Sequence, residues 1–196
     1  VMRVAPLGLV HLWTPEQVFN AAARAAAITH GHPSGFWSAG AMAAMIKMLV
    51  EEEEREAATL QVIELLGTRT EHEETSCALK AALFAFRSGT GIHTDQIKQL
   101  GEGWVGEEAL AIGLYAALVG RSFPEVLAIA SNHDGDSDST ASIAGQLYGA
   151  WRGLADLPHV WVRKLDVFEP LSRTLSKIIH RNGQNGGSHQ VKRQKK

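Results

Sequence analysis

The chain has 196 residues, and 45% of them are hydrophobic, which is enough to bury a sizeable core as one domain. No apolar run reaches the about 18 residues of a membrane-spanning helix, no signal peptide opens the chain, and a single cysteine excludes an internal disulfide. We therefore expect a cytoplasmic protein without a membrane partner. The net charge of −2 combines five basic residues and no acid over 181–196 with 14 basic and 21 acidic residues elsewhere, and such an acidic body disfavours nucleic acid as a partner.

Helical signals follow one another along the chain. Thr14, with Pro15 and Gln17 behind it, predicts a capping box that opens a helix ending near Thr29. A second helix is predicted over about 35–48. No sustained alternation of apolar and polar residues predicts a strand, so the predicted fold class is all-α. Further helices are predicted near residues 74–87, 107–119, 124–131 (opened by a capping box at 122–125), 139–152 and 169–179.

Three segments carry no predicted chemistry. The acidic run 51–54 is expected to be a solvated surface on the stretch leading to Leu65. Cys77 is expected to be a small buried residue rather than a nucleophile. Beyond residue 180 the sequence becomes Gly- and Asn-rich and then basic, which predicts a helical domain over 1–180 and a disordered basic tail over 181–196. Contact with nucleic acid or an anionic surface is the alternative for the tail.

The most informative segment is an acidic loop at 134–140, followed at once by a helix of small and apolar residues. Asp136 and Asp138 alternate with Gly135 and Ser137, so a short loop aims two carboxylates at one point. Carboxylates so close together repel each other unless a cation lies among them. Oxygen donors favour Mg²⁺, Mn²⁺ or Ca²⁺ over zinc or copper. An acidic N-cap, stabilised by the positive end of the helix, explains the same residues without a metal.

Residues 132–153, around this loop, closely resemble the C-terminal metal motif of the ADP-ribosylglycohydrolase family, a Gly-Gly-Asp-x-Asp-Ser/Thr loop followed by a small-residue helix. Three further segments resemble motifs of that family in the expected order, and they lie at 1–9, 29–36 and 101–109. The resemblance begins in the middle of the family's pattern. The part of relatives that carries a Thr-Asp-Asp-Thr segment and a nearby catalytic acid has no counterpart here. Since the chain opens on Val1, we expect a fragment or one piece of a two-chain enzyme.

The resemblance implies an all-α, orthogonally packed ADP-ribosylglycohydrolase-like domain whose N-terminal part is missing. It implies hydrolysis of the glycosidic bond between ADP-ribose and a modified protein side chain, with arginine preferred because 29–35 and 135–139 look most like arginine-acting members. In that reaction metals orient ribose hydroxyls and position water, while a carboxylate handles the proton. The implied partners are ADP-ribosylated protein or ADP-ribose, with a separate N-terminal chain completing the fold. The alternatives are a catalytically inactive fragment that binds ADP-ribose or a partner, and a purely structural helical fragment.

By resemblance, Asp136, Asp138 and Ser139 are ligands of Mg²⁺ or Mn²⁺ and supply one ligand set of a two-metal site. Because Mg²⁺ usually takes one or two carboxylates and keeps several waters, a two-metal site needs a second acidic segment, which the sequence lacks. Asp134 is expected to be a helix cap rather than an outer-shell acceptor, and His133 a surface or packing residue. The sequence predicts no catalytic residue.

The resemblance also implies an ADP-ribose groove, with His30 beside the diphosphate and Gly103 and Trp104 near the distal ribose and adenine. The N–H groups of a helix that begins at the Pro33 turn would favour an anion. Without the resemblance, His30 at a helix end is a structural residue, and Trp104 either stacks on a purine or anchors the following helix. The full predicted set of groove residues is His30, Ser34, Gly35, Phe36, Gly103, Trp104 and Gly135.

Overall fold

The computed structural model describes residues 1–89 and 92–185, with side chains described as far as residue 177. These residues contain eleven α-helices and no strand, which confirms the predicted all-α class. Within the same residues, no helix combines the length and the apolar character needed to cross a membrane. The helices are Ala5–Gly8 (α1), Pro15–Ala27 (α2), Pro33–Val50 (α3), Arg55–Leu66 (α4), Glu73–Ser88 (α5), His93–Leu100 (α6), Gly106–Val119 (α7), Phe123–Ser131 (α8), Ser137–Arg152 (α9), His159–Arg163 (α10) and Phe168–Asn185 (α11), with 3₁₀ helices at Met2–Val4 and Leu154–Asp156.

The core lies in the first of two compact units, Val1–Leu157. At its centre are α3 and α7, which are buried over most of their length because Ala, Met, Leu and Ile cover all their faces. Helices α2 and α4 pack on α3, helices α5 and α8 pack on α7, and α9 contacts both central helices. This packing brings the N-terminal ends of α3, α7 and α9 to a single cleft.

Small residues let α7 and α9 approach closely. A Cβ atom at Gly113 would lie 2.5 Å from Ile143 Cγ2 and 3.2 Å from the Ala144 backbone nitrogen. Any side chain there would push the two helices apart. The absence of a side chain at Gly113 therefore helps to fix where α9 begins relative to α7.

The predicted capping box at Thr14 is confirmed. Thr14 Oγ1 accepts the Gln17 N–H at 3.2 Å, and Gln17 Oε1 accepts the Thr14 N–H at 2.9 Å. At Ser122 only half of the predicted box forms. Ser122 Oγ accepts the Glu125 N–H at 3.4 Å, but the Glu125 carboxylate accepts the N–H of Arg121 at 2.9 Å instead of that of Ser122.

Some sequence expectations differ from the structure. Helices α1, α4, α6 and α10 were not predicted from the sequence. The short helices α1, α6 and α10 carry too few turns to show a clear apolar period, and α4 occupies the stretch leading to Leu65, for which no helix was predicted. The run 51–54 is exposed, as predicted. The prediction for Cys77 is wrong: its side chain is exposed, because α5 turns Thr75, Ser76 and Leu79 toward the core instead.

The second compact unit, Pro158–Lys196, contains α10 and α11. Helix α11 runs to Asn185, so the boundary predicted between residues 180 and 181 falls inside a helix. Residues 186–196, which make up most of the predicted tail, lie outside the described residues.

Candidate functional site

One cleft of about 490 Å³ collects the beginnings of α3, α7 and α9. Three helix N-termini directed at the same space create a positive electrostatic environment, which favours bound anions and neighbouring acidic side chains. Most of the site residues predicted from sequence line this cleft, although they come from segments up to a hundred positions apart. Those that line it are His30, Ser34, Gly35, Gly103, Trp104, Asp136 and Ser139.

The two loops that precede α7 and α9 are joined through their backbones. The Asp136 N–H donates to the Glu102 carbonyl oxygen at 2.8 Å. A Cβ atom at Gly135 would lie 1.8 Å from that same oxygen, so only glycine allows this contact. Gly103 has φ +84°, and its missing Cβ would lie 2.9 Å from Thr140 Cγ2. These glycines bring the carboxylate of Asp136 beside the Gly103 loop.

Glu108 stabilises the loop before α7 by accepting two of its backbone N–H groups. Its Oε2 accepts the N–H of Glu102 at 3.1 Å and that of Gly103 at 3.0 Å. Trp104 then projects from the loop with its ring 66% exposed, and its Nε1–H donates to Glu102 Oε2 at 3.0 Å. A ring that anchored the following helix would be buried, so this placement fits the stacking alternative better than the anchoring one.

His133 organises the acidic loop from within. The Gly135 N–H donates to His133 Nδ1 at 3.1 Å, so in the neutral ring the proton lies on Nε2. Nε2 lies 2.9 Å from Thr140 Oγ1, and that hydroxyl donates to the Ala130 carbonyl at 2.6 Å. His133 is therefore a packing residue, as the sequence predicts, and its ring nitrogens are occupied by the protein.

Helix α9 begins at Ser137, two residues earlier than predicted, with Asp136 at the N-cap. The expectation that Asp134 caps this helix is wrong, because Asp134 lies two residues before the cap and is exposed. Asp136 has the position of a cap, but its side chain makes no capping hydrogen bond, so its carboxylate is available to the cleft. Asp138 is exposed on the first turn, and Ser139 is 9% exposed at the cleft wall.

A chain of hydrogen bonds orients His30. The Arg3 guanidinium donates to Thr29 Oγ1 at 2.7 Å and to the Ala25 carbonyl at 3.0 Å. Thr29 Oγ1 lies 2.8 Å from His30 Nδ1, so the hydroxyl that accepts from Arg3 can donate to the ring. The same hydroxyl lies 3.3 Å from the Ala26 carbonyl oxygen, to which it can donate instead. In either case Nδ1 is occupied by Thr29, and Nε2 is the ring nitrogen left to a ligand. Gly35 makes room for the ring, since a Cβ there would lie 3.1 Å from His30 Cβ.

The start of α3 offers fewer free N–H groups than its sequence suggests. His32 is the N-cap, and Pro33 has no N–H. The N–H groups of Gly35 and Phe36 both donate to the His32 carbonyl, at 3.0 and 3.4 Å. Among the described residues of this first turn, the Ser34 N–H donates to no backbone carbonyl. An anion at this end would therefore be bound by one amide and by nearby side chains.

Three of the predicted site residues do not line the cleft. Phe36 packs edge-on against Trp37, with ring centroids 4.7 Å apart, and lines another surface cavity with residues of α2. Gly135 lines a second polar cavity of about 640 Å³ together with Glu102 and His133. Asp138 lies on the exposed side of the first turn of α9. The structure also brings to the cleft two acids that the sequence did not indicate as groove residues, Glu74 and Glu107.

Comparisons with known proteins identify the family of this chain. The family model for ADP-ribosylglycohydrolases matches residues 1–187. The chain belongs to the ADP-ribosylglycohydrolase family. It is 29% identical to an uncharacterized protein of Archaeoglobus fulgidus over 90% of this chain and 56% of that protein. It is 31% identical to the ADP-ribosylarginine hydrolase Tri1 of Pseudomonas putida over 44% of this chain and 23% of that protein. The chain thus spans about half of the first relative and a smaller share of the second.

The oxygen donors at the start of α9 fit part of a metal site. Across residues 1–89 and 92–185, no group of three or more His, Cys, Asp or Glu side chains is placed to hold a metal ion. Asp136, Asp138 and Ser139 are oxygen donors at adjacent positions of one helix start, and Mg²⁺ in proteins is often bound by one or two carboxylates and completed by waters. The three residues therefore suit one set of ligands, and a tighter site requires acids from another segment.

Proposed function

We propose that this chain takes part in metal-dependent hydrolysis of the glycosidic bond between ADP-ribose and a modified protein side chain, with arginine as the acceptor. The observation that carries the proposal is the convergence of four family motifs on one cleft, whose lining includes Asp136, Ser139, His30 and Trp104. Three of these motifs supply a group suited to a different part of ADP-ribose or its metal.

In the proposed complex, the diphosphate lies at the start of α3. His30 presents Nε2 to the diphosphate, because Thr29 occupies Nδ1, and it donates there when Nε2 carries a proton. The Ser34 amide adds a second donor at a positive helix end. The exposed indole of Trp104 offers a flat apolar face to the purine or the distal ribose. These contacts need only residues of this chain.

At the start of α9, Asp136, Asp138 and Ser139 would hold Mg²⁺ or Mn²⁺, in keeping with the general metal dependence of the family. Binding by Asp138, which lies on the exposed side of the first turn, requires its side chain to turn toward Asp136. A metal bound there supplies electrostatic stabilisation of the oxygens that it contacts. The residues of this chain fix its position: the backbone contact between Gly135 and Glu102 sets the loop, and His133 fixes the turn before Asp136. Acids from another segment would complete the site.

Two observations support arginine as the acceptor. One relative is named an ADP-ribosylarginine hydrolase, and it is similar to this chain over 87 residues. The cleft lining includes three acids, Glu74, Glu107 and Asp136. Its basic groups in the described residues are the amino group of Val1 and the imidazoles of His30 and His32, and it includes no Lys or Arg side chain. An acidic lining favours a guanidinium over a neutral serine or threonine acceptor.

A second function, binding of ADP-ribose without turnover, is favoured by the absence of a complete acidic cluster among residues 1–89 and 92–185. Turnover assays separate the two functions. Proteins ADP-ribosylated on arginine or on serine are incubated with Mg²⁺ and this chain, with or without a separately made N-terminal piece of a relative that bears Thr-Asp-Asp-Thr. We expect ADP-ribose release from the arginine substrate only when both pieces are present. Release by this chain alone would contradict the proposed division of ligands, and no release from the combined pieces would favour the binding function.

A further inference from the structure

The cleft contains a carboxylate whose hydrogen-bonding capacity the described protein does not satisfy. Glu107 lies in the first turn of α7 and lines the cleft. Its Oε2 is shielded from solvent and accepts no hydrogen bond. None of the ion pairs within the described residues includes it. An unsatisfied, shielded carboxylate oxygen is unfavourable in the free protein, and a rotation of the carboxylate that turns this oxygen toward an N–H or O–H donor of a ligand would relieve that cost.

The neighbouring acids already have partners. Glu108 accepts two backbone N–H groups of the loop before α7. Glu102 accepts the indole N–H of Trp104 and lines the second cavity rather than the cleft. Of the three acids in this segment, Glu107 is the one that combines a place in the cleft with a free acceptor oxygen.

The negative charge of Glu107 favours a donor that is a cation. Two other acids, Glu74 and Asp136, also line the cleft. Glu74 lies 3.6 Å from His32 Nδ1, and Asp136 is a proposed metal ligand, so Glu107 is the carboxylate that remains for a cation. A guanidinium carries five N–H groups in a planar fork and binds a carboxylate through two of them. A ribose hydroxyl could also donate to Glu107, but it carries no positive charge to match the carboxylate.

We propose that Glu107 recognises the guanidinium of an ADP-ribosylated arginine and thereby determines the preference of the cleft for arginine over uncharged acceptors. This inference rests on the proposed function, because it places the acceptor side of the glycosidic bond beside α7. Glu107 contacts the acceptor group and leaves the diphosphate to His30 and the Ser34 amide. Its loss should therefore affect ligands that carry a guanidinium and spare those that do not.

The test compares two probes that differ by the guanidinium, ADP-ribosylagmatine and ADP-ribose, titrated by NMR in the presence of a chelator so that no turnover occurs. The full chain should bind ADP-ribosylagmatine more tightly than ADP-ribose. In Glu107→Gln the affinity for ADP-ribosylagmatine should fall about tenfold, as expected for the loss of one charge-assisted hydrogen bond, and the affinity for ADP-ribose should not change. The matched control, Glu64→Gln on α4, should leave both affinities unchanged, because that residue is exposed and lies outside the cleft lining.

Equal losses for both probes in Glu107→Gln would show a general effect on the cleft and would overturn the proposal, as would no loss for either probe. If the unsubstituted chain binds neither probe, the proposed function itself fails. A titration with agmatine alone then tests the role of Glu107. Shifts of the backbone amides of residues 105–109 that disappear in Glu107→Gln would support a guanidinium site. The absence of such shifts in the unsubstituted chain would reject it.

Discussion

The contact between Gly135 and Glu102 provides the sharpest test of how the cleft is built. In Gly135→Ala the new Cβ would lie 1.8 Å from the Glu102 carbonyl oxygen, and real Cβ atoms essentially never approach closer than 3.0 Å. The two loops must therefore separate by at least about 1.2 Å. That movement stretches the 2.8 Å hydrogen bond from the Asp136 N–H to Glu102 beyond bonding distance.

The lost hydrogen bond and the local distortion together should destabilise the fold by about 2 to 4 kcal/mol. For a domain of this size the melting temperature should fall by roughly 5 to 15 °C. ADP-ribose binding should weaken as well, because Gly103 and Trp104 belong to the displaced loop. Circular dichroism during thermal and urea unfolding measures the first effect, and NMR titration of ADP-ribose measures the second.

The matched control is Gly149→Ala in the same helix, α9, where a Cβ would meet nothing within 4 Å. Replacing glycine by alanine within a helix should stabilise the protein by about 0.5 to 1 kcal/mol. The result that would refute this account is a melting temperature of Gly135→Ala equal to that of Gly149→Ala or of the unsubstituted chain. The two loops would then not be in the close contact that the structure shows.

Three further predictions concern metal, a helix cap and acid stability. Replacing both Asp136 and Asp138 by alanine should remove the weak binding of Mg²⁺ or Mn²⁺, measured by titration calorimetry. The melting temperature should stay the same or rise, because two like charges are removed. Metal binding that survives the double substitution would contradict the ligand assignment. Thr14→Ala should cost about 1 kcal/mol of unfolding free energy by urea denaturation, because it removes the capping side chain, and an unchanged midpoint would contradict that role. Arg152 lowers the pKa of the Asp156 carboxyl, so the folded state gains stability from the ionised group above about pH 4 and loses it as the pH falls through the lowered pKa. The melting temperature of Asp156→Asn should therefore change less between about pH 7 and about pH 3 than that of the unsubstituted chain. An equal change in the two proteins would contradict this linkage.

Local signals account for much of what the sequence predicted correctly. The helix α2 carries its own start signal in Thr14, Pro15 and Gln17, and its capping box forms as expected. The bounds of α7 and α8 were predicted to within one residue, since apolar periods and caps are read from neighbouring positions. The helix α6 has only eight residues, too few to establish a period.

The site was less predictable, because its geometry depends on contacts between distant segments. Phe36 follows Gly35 in sequence, but successive helical residues are rotated by about 100°, and this rotation turns Phe36 toward α2 and away from the cleft. The backbone contact between Gly135 and Glu102 joins residues 33 positions apart and leaves no local pattern. The unsatisfied oxygen of Glu107 is likewise a property of the packed cleft and not of the sequence Glu-Glu.

The central claim, that this cleft binds ADP-ribose through its own residues, is tested most directly by NMR titration of the chain with ADP-ribose, read at the Trp104 indole N–H and at the backbone amides of residues 30–36. The cleft residues of this chain alone should bind ADP-ribose with a dissociation constant of about 0.1 to 1 mM. His30→Ala and Trp104→Ala should each weaken that binding. We expect saturable shifts at both sets of signals in the unsubstituted chain. Signals that do not move at millimolar ADP-ribose would contradict the account and would leave the structural fragment as the better description.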